Sequence, residues 1–201
     1  MRRLLLFGLA LAVLAGVAGV ALWVSSGSGG VQAPGWYSRT VYPLEYEAAI
    51  RASSRHNDLD PALVAAVIYA ESRFDTTAVS PHGAVGLMQV LPETAAQIAR
   101  ETGGVAFVPE DLADPRVNIR YGTYYLRTVL DQFHGDRIAA IAAYNAGAGA
   151  VGEWEAAARA AGHPLRLADI PYAETRAYVR SVLKARRIYR ETYGERLRRA
   201  P

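Results

Sequence analysis

The feature that most constrains the fold is a strongly apolar helix predicted over residues 61–74 that carries a carboxylic acid on its apolar side. Asp60 and Pro61 predict its start, because aspartate caps free backbone N–H groups and proline fits the first helical position. At about 100° per residue, four side chains form one apolar stripe: Leu63, Val64, Val67 and Ile68. Glu71 falls inside this stripe, so we expect its side chain to face the packed interior.

A carboxylate in that position needs either a partner or a proton. Burying the ionised form without a partner is costly, so the group raises its pKa and stays protonated. Glu71 would then be able to donate a proton near neutral pH. The alternative is a structural ion pair, with Arg73 or a more distant arginine as the partner.

The segment that follows the helix is typical of a cleft wall. After Phe74 the helical pattern gives way to a polar loop, and Pro92 opens the next helix. Gly83 and Gly86 permit tight turns and the close approach of a ligand to the backbone. We therefore expect the loop to lie beside Glu71.

Four blocks along the chain carry a resemblance. The first joins Glu71-Ser72-x-Phe74 to Ala78-x-Ser80-x-x-Gly83-Ala84-x-Gly86-Leu87-Met88-Gln89 and Pro92-x-Thr94-Ala95. The others are Asn118-x-x-x-Gly122-x-x-Tyr125-Leu126, Ala143-Tyr144-Asn145-Ala146-Gly147 and Pro171-Tyr172-x-Glu174-Thr175-Arg176-x-Tyr178-Val179. In order and spacing they resemble the soluble lytic transglycosylase catalytic domain, which is similar to goose-type lysozyme. The resemblance covers roughly residues 42–193.

The resemblance implies a lysozyme-like, all-α catalytic domain and a lyase that acts on peptidoglycan. Such enzymes cleave the β-1,4 bond between N-acetylmuramic acid and N-acetylglucosamine and leave a 1,6-anhydromuramoyl end. By this resemblance Glu71 is the catalytic acid and then the base. The implied substrate-binding residues are Ser80, Met88, Gln89, Tyr144, Asn145, Glu174 and Tyr178.

Most of these residues also have a structural interpretation. Ser80 before Pro81 is typical of a turn, Met88 of a core gap-filler, and Tyr144 of a buried hydroxyl with a structural partner. Glu174 at a helix start also suits the helix dipole. Both interpretations stay open for each residue at this point.

Two other functions remain possible for the chain. A hydrolase of the goose-type lysozyme kind would use water and a second carboxylate, for which Asp75, Glu93 and Glu174 are the candidates. Asp75 lies at the frayed end of the helix and is more typical of a turn. A wall-binding module without turnover is the third hypothesis.

The N-terminal segment predicts an anchor. Residues 4–24 are apolar and uncharged and are long enough to span a bilayer, and Arg2 and Arg3 predict a cytoplasmic N-terminus. We expect a single-pass protein of the cytoplasmic membrane whose catalytic domain lies outside. A cleaved signal peptide, with Val31-Gln32-Ala33 as the cleavage site, would instead give a secreted protein. The absence of cysteine excludes a lipid-anchored lipoprotein.

The predicted organisation is a membrane helix at 1–24, a flexible linker at 25–41, the catalytic domain at 42–195 and a basic tail at 196–201. Ser-Gly-rich composition supports the linker over residues 25–35. Helices are predicted over 42–55, 92–101, 115–133, 138–144, 151–161 and 174–193, with 138–144 as the buried centre. No alternating run predicts a strand.

The expected partners are peptidoglycan glycan strands and, through the N-terminal helix, the membrane. Other cell-wall or secretion-apparatus proteins are further candidates, and a monomer is expected. The basic C-terminal segment alternates with Val179, Val182, Leu183, Ile188 and Tyr189, which favours a solvated helix face over nucleic-acid binding. Attraction to anionic wall polymer or lipid is a further alternative. Four scattered histidines predict no metal site, and no cofactor is expected.

Overall fold

The computed structural model describes residues 35–103 and 107–199, and this part of the chain is helical. Its α-helices are α1 (Gly35–Val41), α2 (Glu47–His56), α3 (Pro61–Ser72), α4 (Pro92–Glu101), α5 (Pro115–Gln132), α6 (Arg137–Ala146), α7 (Ala148–Ala160) and α8 (Ala173–Arg198). Short 3-10 helices lie at Pro109–Ala113 and Leu167–Asp169. Within the described residues the only β pairing consists of isolated bridges from Val85 to Val79 and Val90. The all-α prediction is confirmed.

Three helices begin where the sequence predicts, because an aspartate caps each one. The Asp60 carboxylate accepts a hydrogen bond from the Ala62 N–H at 3.0 Å. Asp114 accepts one from the N–H two residues on at 2.7 Å, and Asp136 does the same at 2.8 Å. Each cap satisfies a backbone donor that has no partner inside the helix.

Helix α3 is buried on every side, so the prediction of a single apolar stripe is wrong. Residues 62–69 are all buried, and three of them are alanines at 62, 65 and 66. Helix α8 packs along α3, and α2 also contacts it. The small alanine side chains leave room for these neighbours on the sides that the stripe argument assigned to solvent.

Helix α6 is the second buried element, as the sequence predicts. Its residues 139–143 have no exposed surface, and the helix contacts α5, α7 and α8. The two buried helices, α3 and α6, therefore share the centre of the fold, and their packing fixes the position of the candidate site residues near their C-terminal ends.

Helix α8 is the longest element and extends beyond its predicted end at residue 193. Its buried positions recur every three or four residues as far as Leu197. The apolar side therefore continues into the segment 196–201 that was predicted as a basic tail, and residues 196–198 are helical. The exposed positions of α8 include Lys184 and Arg187, which confirms the prediction of a solvated basic face.

The segment before the domain differs from the prediction in one respect. Residues 35–41 form α1, although 25–41 was predicted to be a flexible linker. The Ser-Gly-rich composition ends at Gly35, and the next six residues include Trp36, Tyr37 and Val41. From Arg39 onward the chain forms one compact unit.

The predicted membrane helix, residues 4–24, lies outside the described residues, as does most of the predicted linker. Among residues 35–103 and 107–199, none of the helices has the length and apolar character needed to cross a bilayer.

Candidate active site

Glu71 lies in the last turn of α3, where the buried helix reaches the surface. Residue 69 is still buried, whereas Glu71 is partly exposed. Burial of its carboxyl group raises the pKa of Glu71 from 4.5 to about 7. The Tyr178 hydroxyl donates a hydrogen bond to Glu71 Oε1 at 2.5 Å, and this contact acts in the opposite direction by lowering the pKa. Glu71 can therefore both give and take a proton near neutrality.

The alternative interpretation of Glu71, a structural ion pair, is wrong for the described part of the chain. None of the ion pairs formed there includes Glu71. The guanidinium of Arg73, its suggested partner, donates to the Tyr69 hydroxyl at 2.8 Å and lies 5.0 Å from the centre of the Tyr69 ring. A carboxyl group that is buried without a cation is expected to hold its proton more tightly, as Glu71 does.

In the part of the chain that the structure describes, no second carboxylate shifts the pKa of Glu71, since burial and the Tyr178 hydrogen bond account for the shift. Asp75 accepts hydrogen bonds from the backbone N–H and the hydroxyl of Thr77, at 2.8 and 2.7 Å, and these bonds lower its pKa. Asp75 is thus a turn residue, as its position predicts. Glu93 and Glu174 are exposed in the first turns of α4 and α8.

Two tyrosines, Tyr144 and Tyr178, lie close enough to Glu71 to be affected by its charge, and a third, Tyr125, packs against one of them. Tyr178 of α8 contacts the carboxyl group directly. Tyr144 of α6 donates its hydroxyl proton to the Met88 carbonyl at 2.9 Å, and its ring lies 5.3 Å from that of Tyr125 in α5. Burial and the charge of Glu71 raise the pKa of both Tyr144 and Tyr178 well above 10. Both phenols therefore stay protonated and act as hydrogen-bond donors.

The loop between α3 and α4 is held against the helices by buried hydrogen bonds. Ser72, next to Glu71, donates its hydroxyl proton to the Leu87 carbonyl at 2.9 Å. The buried Asn118 amide donates to the Val85 carbonyl at 2.8 Å and to the Leu112 carbonyl at 3.0 Å. It also accepts from the Met88 N–H at 2.8 Å. The loop is therefore preorganised beside Glu71.

Glycine is required at position 86, where the loop crosses Asn118. Gly86 has a φ of 74°, which side-chain-bearing residues rarely adopt. A Cβ atom there would lie 2.5 Å from Asn118 Nδ2. The sequence predicts the close approach of a ligand at Gly86; the close neighbour in the structure is Asn118, so the approach of a ligand stays a prediction.

Ser80 and Gln89 each form some of their hydrogen bonds within the loop. Ser80 Oγ accepts hydrogen bonds from the N–H groups of His82 and Ala84, at 3.2 and 3.0 Å. Gln89 Nε2 donates to the carbonyls of Ala78 and Gly86, at 3.1 and 2.9 Å. What remains for a ligand is the hydroxyl proton of Ser80 and the Oε1 atom of Gln89.

Met88 is a core residue in this structure. Its side chain is fully buried, and a Cβ atom added to Gly122 of α5 would lie 2.6 Å from Met88 Sδ. The described contacts are those of its structural interpretation, so its contact with a substrate stays a prediction.

Asn145 and Glu174 lie near each other because α6 ends where α8 begins. The buried Thr175 donates its hydroxyl proton to Asn145 Oδ1 at 2.8 Å, while Asn145 itself is exposed. Glu174 is the exposed neighbour of Thr175 and lies one turn before Tyr178. The structure thus brings the ends of α3, α6 and α8 together.

Three residues of this region were given no role from the sequence: Asn118, Tyr125 and Thr175. All three belong to the recognised blocks. Asn118 could have been found by periodicity, since Gly122 and Leu126 follow it by four and eight residues and put an amide on the buried side of α5. Tyr125 and Thr175 act through contacts between helices, for which the sequence carries no local signal. Within residues 35–103 and 107–199, no three acidic or histidine side chains cluster as a metal would require.

Comparisons with known proteins agree with the order of the blocks. Residues 48–165 match the family described as the transglycosylase SLT domain. The soluble lytic murein transglycosylase of Salmonella typhimurium is 36% identical over 159 residues, which are 77% of this chain and 24% of that protein. The membrane-bound lytic murein transglycosylase C of Actinobacillus pleuropneumoniae is 35% identical over 120 residues, 55% of this chain and 33% of that protein.

A solved structure is also similar. It is the lytic transglycosylase Slt of Pseudomonas aeruginosa, an inactive mutant in which a glutamine replaces a glutamate, with 34% identity and a TM-score of 0.69. The match covers 76% of this chain and 25% of that one. The chain thus spans about a quarter of the length of the Salmonella typhimurium and Pseudomonas aeruginosa proteins. Since the family match covers more than half of its 201 residues, the chain belongs to the transglycosylase SLT domain family.

Proposed function

We propose that residues 42–195 form a peptidoglycan lytic transglycosylase domain, a carbon–oxygen lyase that cuts between N-acetylmuramic acid and N-acetylglucosamine. One observation carries the proposal. Glu71 is a desolvated carboxyl group with a pKa of about 7, and among residues 35–103 and 107–199 it has neither an ion-pair partner nor a second carboxylate that shifts its pKa. Membership of the SLT domain family supports the reaction class, and the inactive glutamate-to-glutamine mutant of a relative supports an essential glutamate.

In the first step Glu71 is the acid. With a pKa of about 7, roughly half of the carboxyl groups carry a proton at neutral pH. That proton passes to the glycosidic oxygen as the bond from this oxygen to C1 of the muramoyl residue breaks. The bonding electron pair leaves with N-acetylglucosamine, and the N-acetyl group of the substrate assists the departure. Glu71 is then a carboxylate.

In the second step the same residue is the base. The Glu71 carboxylate takes the proton of the muramoyl 6-hydroxyl, whose oxygen bonds to C1 and closes the 1,6-anhydro ring. No water is consumed, and Glu71 regains its proton. One side chain can serve both steps when its pKa lies near the ambient pH. The Tyr178 hydrogen bond supports the carboxylate form and offsets part of the effect of burial.

The substrate contacts that we propose follow the ends of the helices around Glu71. The Ser80 hydroxyl proton and Gln89 Oε1 are proposed to bind sugar groups on the loop side. Tyr144, Asn145, Glu174 and Tyr178 are proposed to do so on the side of α6 and α8. For Met88 the support is indirect, since its buried side chain and its carbonyl bond to Tyr144 brace the loop.

The proposed location is outside the cytoplasmic membrane, with residues 1–24 as a single-pass anchor and the segment before residue 42 as the connection. Cleavage after Ala33 would release the domain instead. The proposed partner is the glycan strand. Binding of other cell-wall or secretion-apparatus proteins and the monomeric state stay predictions.

The test is digestion of purified peptidoglycan by the full chain and by Glu71→Gln. We expect the variant to release no soluble muropeptides while its circular dichroism spectrum stays that of the unmodified protein. Glu93→Gln, which removes an exposed carboxylate on α4, is the matched control and is expected to remain active. Activity in Glu71→Gln would contradict the assignment of the acid. Loss of activity in Glu93→Gln would point to a hydrolase with a second carboxylate.

A further inference from the structure

One hydrogen bond between α6 and α8 decides which way a candidate substrate-binding amide faces. The buried Thr175 of α8 donates its hydroxyl proton at 2.8 Å to Oδ1 of Asn145, an exposed residue near the end of α6. We propose that Thr175 is a positioning residue that turns the NH2 group of Asn145 toward the glycan, so that Asn145 donates a hydrogen bond to a substrate oxygen. The inference rests on the proposed function, in which Asn145 contacts the sugar.

The hydroxyl proton of Thr175 is directed to Asn145 because of its place in the helix. A threonine inside a helix can donate to the carbonyl four residues earlier. Thr175 lies in the first turn of α8, so the residue four positions earlier, Pro171, is outside the helix. The Pro171 carbonyl accepts instead from the Arg176 guanidinium at 3.0 Å. Thr175 therefore bonds to another helix rather than to its own.

A second threonine–asparagine pair in the protein has the opposite polarity. Thr123, in the middle of α5, donates its hydroxyl proton to the carbonyl of Ile119, four residues earlier, at 2.7 Å. Its oxygen accepts from Nδ2 of Asn57 at 3.0 Å, so in this pair the asparagine is the donor. The position of each threonine in its helix thus decides which end of the asparagine amide it binds.

The start of α8 favours the same orientation of the Asn145 amide. A helix N-terminus carries a partial positive charge, which attracts an acceptor oxygen. Since the oxygen and nitrogen of an amide lie on opposite sides of its carbon, the NH2 group faces away from Thr175. None of the hydrogen bonds within the described part of the chain uses Nδ2 of Asn145. What Asn145 offers to a ligand is therefore a pair of N–H donors.

The Asn145 amide lies one turn of α8 away from the candidate acid. Thr175 precedes Tyr178 by three residues, which places both on one side of the helix, about 4.5 Å apart along its axis. Tyr178 binds Glu71, and Thr175 binds Asn145. A sugar bound at Glu71 would therefore lie beside the amide. The acetamido carbonyls of the glycan can only accept hydrogen bonds, which suits a group that can only donate them.

The test is the kinetics of the full chain on soluble, uncrosslinked glycan strands. Thr175→Val keeps the size of the side chain and removes the hydroxyl. We expect KM to rise by up to about tenfold, as for the loss of one neutral hydrogen bond. The pH dependence of kcat/KM should stay unchanged, because Glu71 keeps its surroundings. Thr175→Ser retains the hydroxyl and should return KM to that of the unmodified protein.

Variants of Asn145 check the direction of the bond. Asn145→Asp keeps an oxygen for Thr175 but has no N–H donor, so its KM should rise as in Asn145→Ala. The double variant Thr175→Val/Asn145→Ala should be no worse than Asn145→Ala alone, because Thr175 acts through Asn145.

The matched control is Thr123→Val, which removes a buried hydroxyl from the other threonine–asparagine pair. We expect it to lower the temperature of thermal unfolding while KM stays that of the unmodified protein. Thermal unfolding of Thr175→Val, measured beside it, separates an effect on substrate binding from an effect on stability.

Three outcomes would overturn the inference. An unchanged KM in Thr175→Val would show that the bond does not position the amide. An unchanged KM in Asn145→Asp would make Asn145 an acceptor. Additive losses in the double variant would mean that Thr175 acts by another route. Each of these leaves cleavage by the unmodified protein intact, whereas absence of that cleavage would contradict the proposed function itself.

Discussion

At the scale of single residues, the chemistry of the site depends on two opposing effects on Glu71. Burial raises the pKa of Glu71, the contact with Tyr178 lowers it, and the net value is about 7. The hydrogen bond from Tyr178 stabilises the carboxylate. Tyr178 is therefore a positioning and tuning residue whose effect should be visible in the pH dependence.

Tyr178→Phe is expected to raise the pKa of Glu71, because it removes the contact that lowers it and keeps the surrounding ring. The alkaline limb of kcat/KM, where Glu71 loses its acidic proton, should then move to higher pH, and kcat should fall because the carboxyl group loses its orientation. Tyr46→Phe, at an exposed tyrosine before α2, is the control. An unchanged alkaline limb in Tyr178→Phe would mean that this hydrogen bond does not tune the acid.

The raised pKa of Glu71 also makes the free energy of unfolding depend on pH. Below pH 4.5 the carboxyl group is protonated in both the folded and the unfolded chain, so it carries no penalty. As the pH rises from 4.5 to 7, the unfolded chain ionises, whereas the folded chain keeps its proton until the pH reaches about 7. The free energy of unfolding therefore falls over this range, by about 3 kcal/mol at most.

Glu71→Gln should remove this loss, since glutamine is neutral at every pH. We expect the variant to exceed the unmodified protein in the free energy of unfolding at pH 8, and the two to converge below pH 4.5. Urea unfolding at several pH values measures the difference. A difference that is independent of pH would contradict a desolvated Glu71.

At the scale of elements, the loop between α3 and α4 takes its shape from α5. Asn118 binds two backbone groups of the loop, the Val85 carbonyl and the Met88 N–H, and a third group in the 3-10 helix Pro109–Ala113. Gly86 lies against the Asn118 amide, and Met88 packs against Gly122. Each contact requires a particular size of side chain at its position. The loop that carries Ser80 and Gln89 is thus built against a fixed helical surface.

Gly122→Ala tests this fit. The added Cβ atom would lie 2.6 Å from the Cβ and Sδ atoms of Met88, so the loop must move. We expect a loss of about 2 kcal/mol in the free energy of unfolding, together with reduced activity. Gly152→Ala in α7 is the matched control, because nothing lies within 4 Å of its added Cβ, and alanine should stabilise that helix by up to about 1 kcal/mol. Equal effects of the two substitutions would contradict the account.

At the scale of the whole molecule, local signals in the sequence predict the helices and long-range contacts decide the site. Asp60, Asp114 and Asp136 cap their helices through the N–H groups that directly follow, so their positions are readable. The burial of α3 on every side was not readable, because it depends on α8, which lies more than a hundred residues away in the chain. The same reason applies to Tyr178, whose contact with Glu71 spans 107 residues.

The site residues that resemblance suggested differ in how the fold uses them. Tyr178 forms a hydrogen bond with Glu71, whereas Met88 is buried in the core. Ser80 and Gln89 form hydrogen bonds within the loop and keep one polar atom each for a ligand. Sequence patterns indicate residue types at given spacings. They do not indicate which polar atoms the backbone has already bound, which only the folded chain determines.

The central claim is that one carboxyl group performs both proton transfers and that water takes no part. The most direct measurement is mass spectrometry of the products when the full chain digests peptidoglycan in water enriched in the heavy oxygen isotope. The account predicts 1,6-anhydromuramoyl ends without the isotope, made by the unmodified protein and absent with Glu71→Gln. Reducing muramoyl ends that carry the heavy oxygen would contradict it, because they require hydrolysis.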